Sequence, residues 1–153
     1  MITLKRPSLS FLTVLFLTVT VLQSCKVQFV PEYDASVAQQ IESTAKMVDR
    51  FYLIMAETTT EQKGREYEKF AEGYVDIQVE LMSLLNKNKM RPLNKSSIEN
   101  CELALGTWKE LKEFHKESNT LSDVMIENFQ LQMHEAFIIL LTTENANKMA
   151  ETN

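Results

Sequence analysis

The sequence predicts an all-α fold: an up-down-up-down four-helix bundle behind an N-terminal signal segment that is removed. Three observations carry this. Helix breakers are scarce, with three Gly in the whole chain and two Pro after residue 24, among many Glu, Lys, Leu, Met and Gln. Four stretches repeat apolar residues at steps of three and four, the period of one helix face. The links between them are short, which forces neighbours to run antiparallel.

The first helix is expected over about residues 34–57, with Val37, Ile41, Ala45, Val48, Tyr52 and Met55 on its apolar face. The second is expected over about 60–86, where Tyr67, Phe70, Tyr74, Ile77, Leu81 and Leu84 form a heptad seam. The third, about 97–117, carries Ile98, Cys101, Leu105, Trp108, Leu111 and His115. The fourth, about 121–147, carries Ile126, Phe129, Met133, Phe137 and Leu140, leaving 148–153 as a tail. Helix starts are expected at capping boxes, in which a Ser or Thr and an acid or amide three residues on satisfy each other's free backbone donors. Ser36 with Gln39, Thr59 with Gln62 and Ser96 with Glu99 fit, and Thr120 with Asp123 is a weaker version. Thr107 with Glu110 also matches but falls in mid-helix, so the pattern alone does not mark a start.

The first 24 residues read differently. Lys5 and Arg6 precede fifteen uncharged positions, Ser8 to Leu22, too few for a span of ~20 residues. A positive start, an apolar middle and a small residue before the cut is the plan of a secretory signal peptide. Its end, Leu22-Gln23-Ser24-Cys25, resembles the lipobox of bacterial lipoproteins, with Gln23 a less common choice. That resemblance implies cleavage between Ser24 and Cys25 and a diacylglycerol on the Cys25 sulfur. It also implies an acylated amino terminus. Several chains make a stable anchor where one binds marginally. Residues 25–33 then form a lipidated cysteine and tether, with Pro31 delaying the first helix. Residues 34–147 form the bundle.

Composition narrows the function. The mature part, residues 25–153, holds all 21 acidic residues but only 14 of the 16 basic ones, a net charge of −7. That argues against nucleic acid, which needs basic surfaces. Once Cys25 carries lipid, Cys101 is the remaining thiol; no internal disulfide is possible, and its apolar helical position predicts burial. The link between the second and third helices, which should lie at the tether end, holds Lys87, Lys89, Arg91 and Lys95 without an acid. It reads first as a solvated loop, and second as a contact for lipid phosphates or an anionic partner. On the fourth helix, Val124, Leu131 and Ile138 lie seven apart on a side away from the core face, and "AFIILL" fills 136–141. A helix apolar around its girth has either a wide core face or a partner.

Signatures of chemistry are absent. Lys112 and Leu131 stand where a Glu-x-x-His di-iron pair needs glutamates before His115 and His134. No zinc or haem spacing, nucleophile elbow, phosphate loop or dinucleotide fingerprint occurs. The softest ligand set is Met125, Met133 and His134 with Met55 and Met82, of thioether and imidazole types suited to Cu(I), although methionines at helical spacing are ordinarily core. Glu66 with Glu68 and Glu110 with Glu113 read as solvation rather than acid–base pairs, and Trp108, Tyr52, Tyr67 and Tyr74 as core rather than a stacking platform. The expected function is a lipid-anchored, non-enzymatic helical module of the bacterial envelope, contacting a protein partner or a second copy through the fourth helix. The alternative is a carrier of a small ligand or copper inside the bundle. In the lipoprotein class, Lys26 after the anchor implies the outer membrane, facing the periplasm.

Overall fold

The computed structural model describes the backbone of residues 30–58 and 63–152. The signal peptide, Ser24, Cys25 and the Thr59–Gln62 pair lie outside those residues. The described chain forms four helices and no strand: α1 Ala35–Glu57, α2 Tyr67–Lys89, α3 Lys95–Ser118 and α4 Asp123–Thr152. Each packs on its sequence neighbours and α4 closes against α1, the up-down-up-down bundle that short links dictate. Residues 30–34 run along the bundle end without helical structure, consistent with a tether.

Every seam residue expected on α2 is buried, as are Val37, Ile41, Val48, Tyr52 and Met55 of α1. Ala45 and Ile98 are only partly buried, and Phe51 joins the core unannounced. Trp108 and Phe51 sit at the centre. Phe51 meets Tyr52, Phe70, Tyr74 and Trp108 edge-on at ring separations of 5.1, 5.7, 4.6 and 5.5 Å. Edge-to-face contacts align positive ring edges with negative ring faces, adding to the apolar burial.

Gly73 is what lets α2 approach this cluster. A Cβ there would sit 2.8 Å from Phe51 Cδ2, on a ring hemmed in by four others. Gly106 meets nothing within 4 Å. Opposite effects are therefore expected of one substitution. Gly73→Ala should lose about 1–2 kcal/mol through overpacking, while Gly106→Ala should gain up to ~1 kcal/mol of helix propensity. Urea unfolding of the pair checks this; two changes of the same sign would contradict the packing at Gly73.

The expected helix starts are shifted, each for a visible reason. Asp34, not Ser36, caps α1, accepting from the amides of Ser36 and Val37. Those bonds hold its carboxyl below the usual range, the Ser36 contact contributing most. Helix α2 starts at Tyr67 rather than near 60, because Gly64 turns the chain at φ 108° and Arg65 folds inward. Its first amide is satisfied by the carbonyl of Asn119, itself left-handed at φ 57° at the end of α3. Helix α3 begins at Lys95, so Ser96 lies inside its first turn instead of capping it. Ser122, rather than Thr120, caps α4 through the amide of Met125. That helix runs on to Thr152, past the expected end at Asn147.

Candidate functional site

The bundle is apolar in its middle and polar at both ends. At the end away from the tether, Arg65 is only 3 % exposed. Its guanidinium donates to the carbonyls of Met55 (3.0 Å), Ala56 (2.9 Å) and Thr58 (3.2 Å), and to that of Leu121 (3.3 Å). It also pairs with Asp123 at 2.6 Å. The last carbonyls of a helix have no partner within it and carry its partial negative charge. Arg65 therefore caps the end of α1 from another segment and ties it to the start of α4.

The backbone carbonyl of Arg65 accepts from His115 Nε2 at 2.8 Å, and the Tyr74 hydroxyl lies 3.1 Å from His115 Nδ1. With Nε2 carrying the proton, Nδ1 is the acceptor and Tyr74 the donor; this network assigns the neutral tautomer. Burial lowers the His115 pKa, opposed by the Arg65 carbonyl. Burial likewise raises the phenols of Tyr52 and Tyr74 above the ordinary tyrosine range. The Tyr52 hydroxyl is buried without a hydrogen bond of normal geometry. The two tyrosines stay protonated and His115 stays neutral; Tyr74 and His115 are polar ties, Tyr52 is packing, and all three are shut off from solvent.

At the tether end, Glu144 is 2 % exposed and sits where the α4 core stripe would otherwise continue with an apolar residue. Arg91 grips both of its carboxylate oxygens at 2.9 Å. Glu144 also accepts from the backbone amide of Asp34 at 2.8 Å. The same two terminal nitrogens also donate to Asn88 Oδ1 and to the backbone carbonyl of Glu32. Asn94 Nδ2 holds the Asn88 side chain in place at 2.7 Å. One side chain thus clasps the α2–α3 link, α4 and the incoming tether. Lys148 adds a cation over the Tyr33 ring, 5.2 Å from its centre. Between tether and link lies a cleft of about 380 Å³, bordered by Pro31, Glu32, Tyr33, Asp34, Pro92 and Leu93 among others.

This clasp takes Arg91 out of the basic cluster of the link. Arg91 is turned inward with both terminal nitrogens engaged, Lys89 pairs with Glu102 at 3.0 Å, and Lys95 lies 3.6 Å from Glu99. Asn88 and Glu144 fall on positions of the helical seams, but nothing in their spacing says that an arginine from the link will reach both.

The other expected residues are scattered. Met55 and Met133 are buried in the core, whereas Met82 and His134 are exposed. Met82 is on α2, diagonal to α4. The five members of the soft-ligand set therefore do not share one coordination sphere. Among the described residues no cluster of His, Cys, Asp and Glu has a metal-site arrangement. Cys101 is buried, its thiol pushed up to about 12 by burial, with Asn88 Nδ2 3.4 Å from its sulfur. Glu68, Glu110 and Glu113 are exposed, and Glu66 pairs with Lys69 at 2.9 Å. Trp108, Tyr52, Tyr67 and Tyr74 are core residues, as expected.

The α4 stripe is on the outside. Val124, Leu131 and Ile138 are all exposed, so they do not widen the core face. A second outer stripe, Val75, Val79 and Met82 on α2, shows spacings of four and three but was not singled out from sequence. Among the described residues no helix is long and apolar enough to cross a membrane. No family model, curated protein or solved structure matches the chain.

Proposed function

We propose that the chain is a lipid-anchored, non-enzymatic envelope lipoprotein that presents the outer face of its last helix to another protein. The observation that carries this is the contrast between a filled interior and an apolar exterior. Trp108, Tyr52, Tyr74 and Met133 occupy the bundle axis where a carried ligand would sit. The heptad-spaced Val124, Leu131 and Ile138 face outward. Exposed apolar residues repeated along one stripe mark contact surfaces more often than scattered ones do. The anchoring half rests on Leu22-Gln23-Ser24-Cys25. By its resemblance to lipoproteins, the bundle belongs on the periplasmic face of the outer membrane.

The test has two arms. In a bacterial host, the mature protein should carry a diacylglycerol on Cys25 by mass spectrometry and sediment with membranes. Cys25→Ser should be neither lipidated nor cleaved at that bond. Processing and sedimentation of Cys25→Ser like the parent would remove the anchor. For the surface, a photocrosslinker at Leu131 should yield a discrete adduct that one at Glu110 does not; equal yields would remove the α4 face.

A further inference from the structure

The links at the two ends of the bundle differ in kind. Away from the tether, the exposed link residues among those described, Lys63 and Asn119, are polar, and Leu121 is turned fully inward. At the tether end, the link after α2 reads Met90-Arg91-Pro92-Leu93-Asn94 and exposes its two large apolar side chains. Met90 is 79 % exposed and Leu93 60 %. Val30 on the tether is exposed as well. Links ordinarily carry polar residues toward water, so apolar tips call for a contact.

Leu93 is unusual in its backbone as well. It holds φ 59°, a left-handed conformation that glycine or asparagine adopts readily and leucine does not. Its side chain stabilises little of the core from an exposed position. A strained residue whose side chain the fold does not use is a reason to look for a contact outside the fold.

The tether supplies the occupant. The Arg91 clasp fixes Glu32 and Asp34 to this same end, and the cleft borders Pro31 and Leu93 together. From Cys25 to Val30 is five residues, a reach of at most about 18 Å. Helix α1 alone, 23 residues, is about 35 Å long. A bilayer anchor at Cys25 therefore keeps the Met90–Leu93 tip within one short tether length of the lipid. The tip is flanked by Lys87, Lys89 and Lys95; the pairs of Lys89 with Glu102 and of Lys95 with Glu99 are exposed and readily exchanged for lipid phosphates.

We propose that the tether end of the bundle is a membrane-contact surface, with Met90 and Leu93 inserting into the interfacial layer of the leaflet that holds the Cys25 anchor. This rests on the lipid-anchored reading. The occupant is the bilayer surface itself rather than a protein. The clasp orients the bundle so that the tip faces lipid, while the α4 stripe stands clear along the side.

The experiment uses the full lipidated protein in vesicles of phosphatidylethanolamine and phosphatidylglycerol with brominated acyl chains. An environment-sensitive fluorophore is placed on Met90→Cys, on Leu93→Cys and, at the far end, on Glu117→Cys. Cys101 is buried and Cys25 is blocked by its lipid, so labelling is selective. Emission at 90 and 93 is expected to shift to the blue and to be quenched at least about twofold, with none at 117. Leu93→Gly, which relieves the left-handed backbone and so leaves the fold intact, should reduce the quenching at position 90 by about half. Protein that sediments with vesicles yet shows equal emission at 90, 93 and 117 overturns the surface and leaves the anchor standing. Protein that does not sediment removes the anchor, and the membrane-contact surface with it. Quenching at 90 that Leu93→Gly leaves unchanged overturns the role of Leu93.

Discussion

Glu144→Ala is expected to destabilise the bundle by about 3–5 kcal/mol, because it strands the Arg91 guanidinium in a buried site. That is a large part of the ~5–15 kcal/mol holding a domain of this size together. Three partners are lost at once: Arg91, the Asp34 amide and the neighbouring Asn147 side chain. Glu144→Gln keeps an acceptor for the Asp34 amide but not the opposing charge, and should fall in between. The double variant Arg91→Leu, Glu144→Met removes both charges and should recover much of the loss, since replacing a buried pair by packed apolar groups is often nearly neutral. Recovery should stay incomplete, because Glu32 and Asp34 would still lack their partners. Urea unfolding of the parent, Arg91→Leu, Glu144→Met and the double variant forms the cycle, with Glu144→Ala and Glu144→Gln measured beside it. A single Glu144→Ala change within ~0.5 kcal/mol of the parent would mean that the clasp is not closed in solution.

Arg65→Met is the second large expectation, also about 3–5 kcal/mol. The methionine fills much of the arginine's apolar volume, so the loss isolates the polar contacts. Two buried and two partly buried carbonyls would be left without that donor, and the exposed Asp123 without its partner. Arg65→Lys should recover little, because a compact ammonium cannot reproduce a planar fork aimed at several carbonyls. Hydrogen exchange should place the damage in the last turn of α1 and the first of α4. Uniform loss of protection along all four helices, with no excess there, would contradict the capping role.

The two ends also explain where the sequence reading failed. It placed the start of α2 near residue 60 because Thr59 and Gln62 match a capping pattern and few breakers follow. Local rules do not register that Arg65 gains more by turning inward to serve α1 than by continuing a helix. Counting Arg91 with the lysines of the basic link failed for the same reason. A formal charge in a sequence carries no direction, and the buried acceptor is 53 residues away. Glu144 and Asn88 could have raised suspicion, since each falls on the core stripe of its helix. An acid on such a stripe calls for a cation, but four basic residues of the link were equally available by sequence.

What the sequence alone determined is whatever depends on period and spacing. The 3.6-residue repeat fixed four amphipathic helices, and the short links between them forced the antiparallel order. The seam Tyr67–Leu84 specified the buried face of α2 residue by residue. These features are local, because each helix must turn its apolar side somewhere regardless of which neighbour receives it. The tertiary structure decided the pairing of Arg65 with α1 and of Arg91 with Glu144 and the tether. It also decided that Val124, Leu131 and Ile138 face outward rather than into the core. Those outcomes depend on which groups meet across the bundle, where a buried charge must find a partner and a stripe of side chains is covered or not by its neighbours.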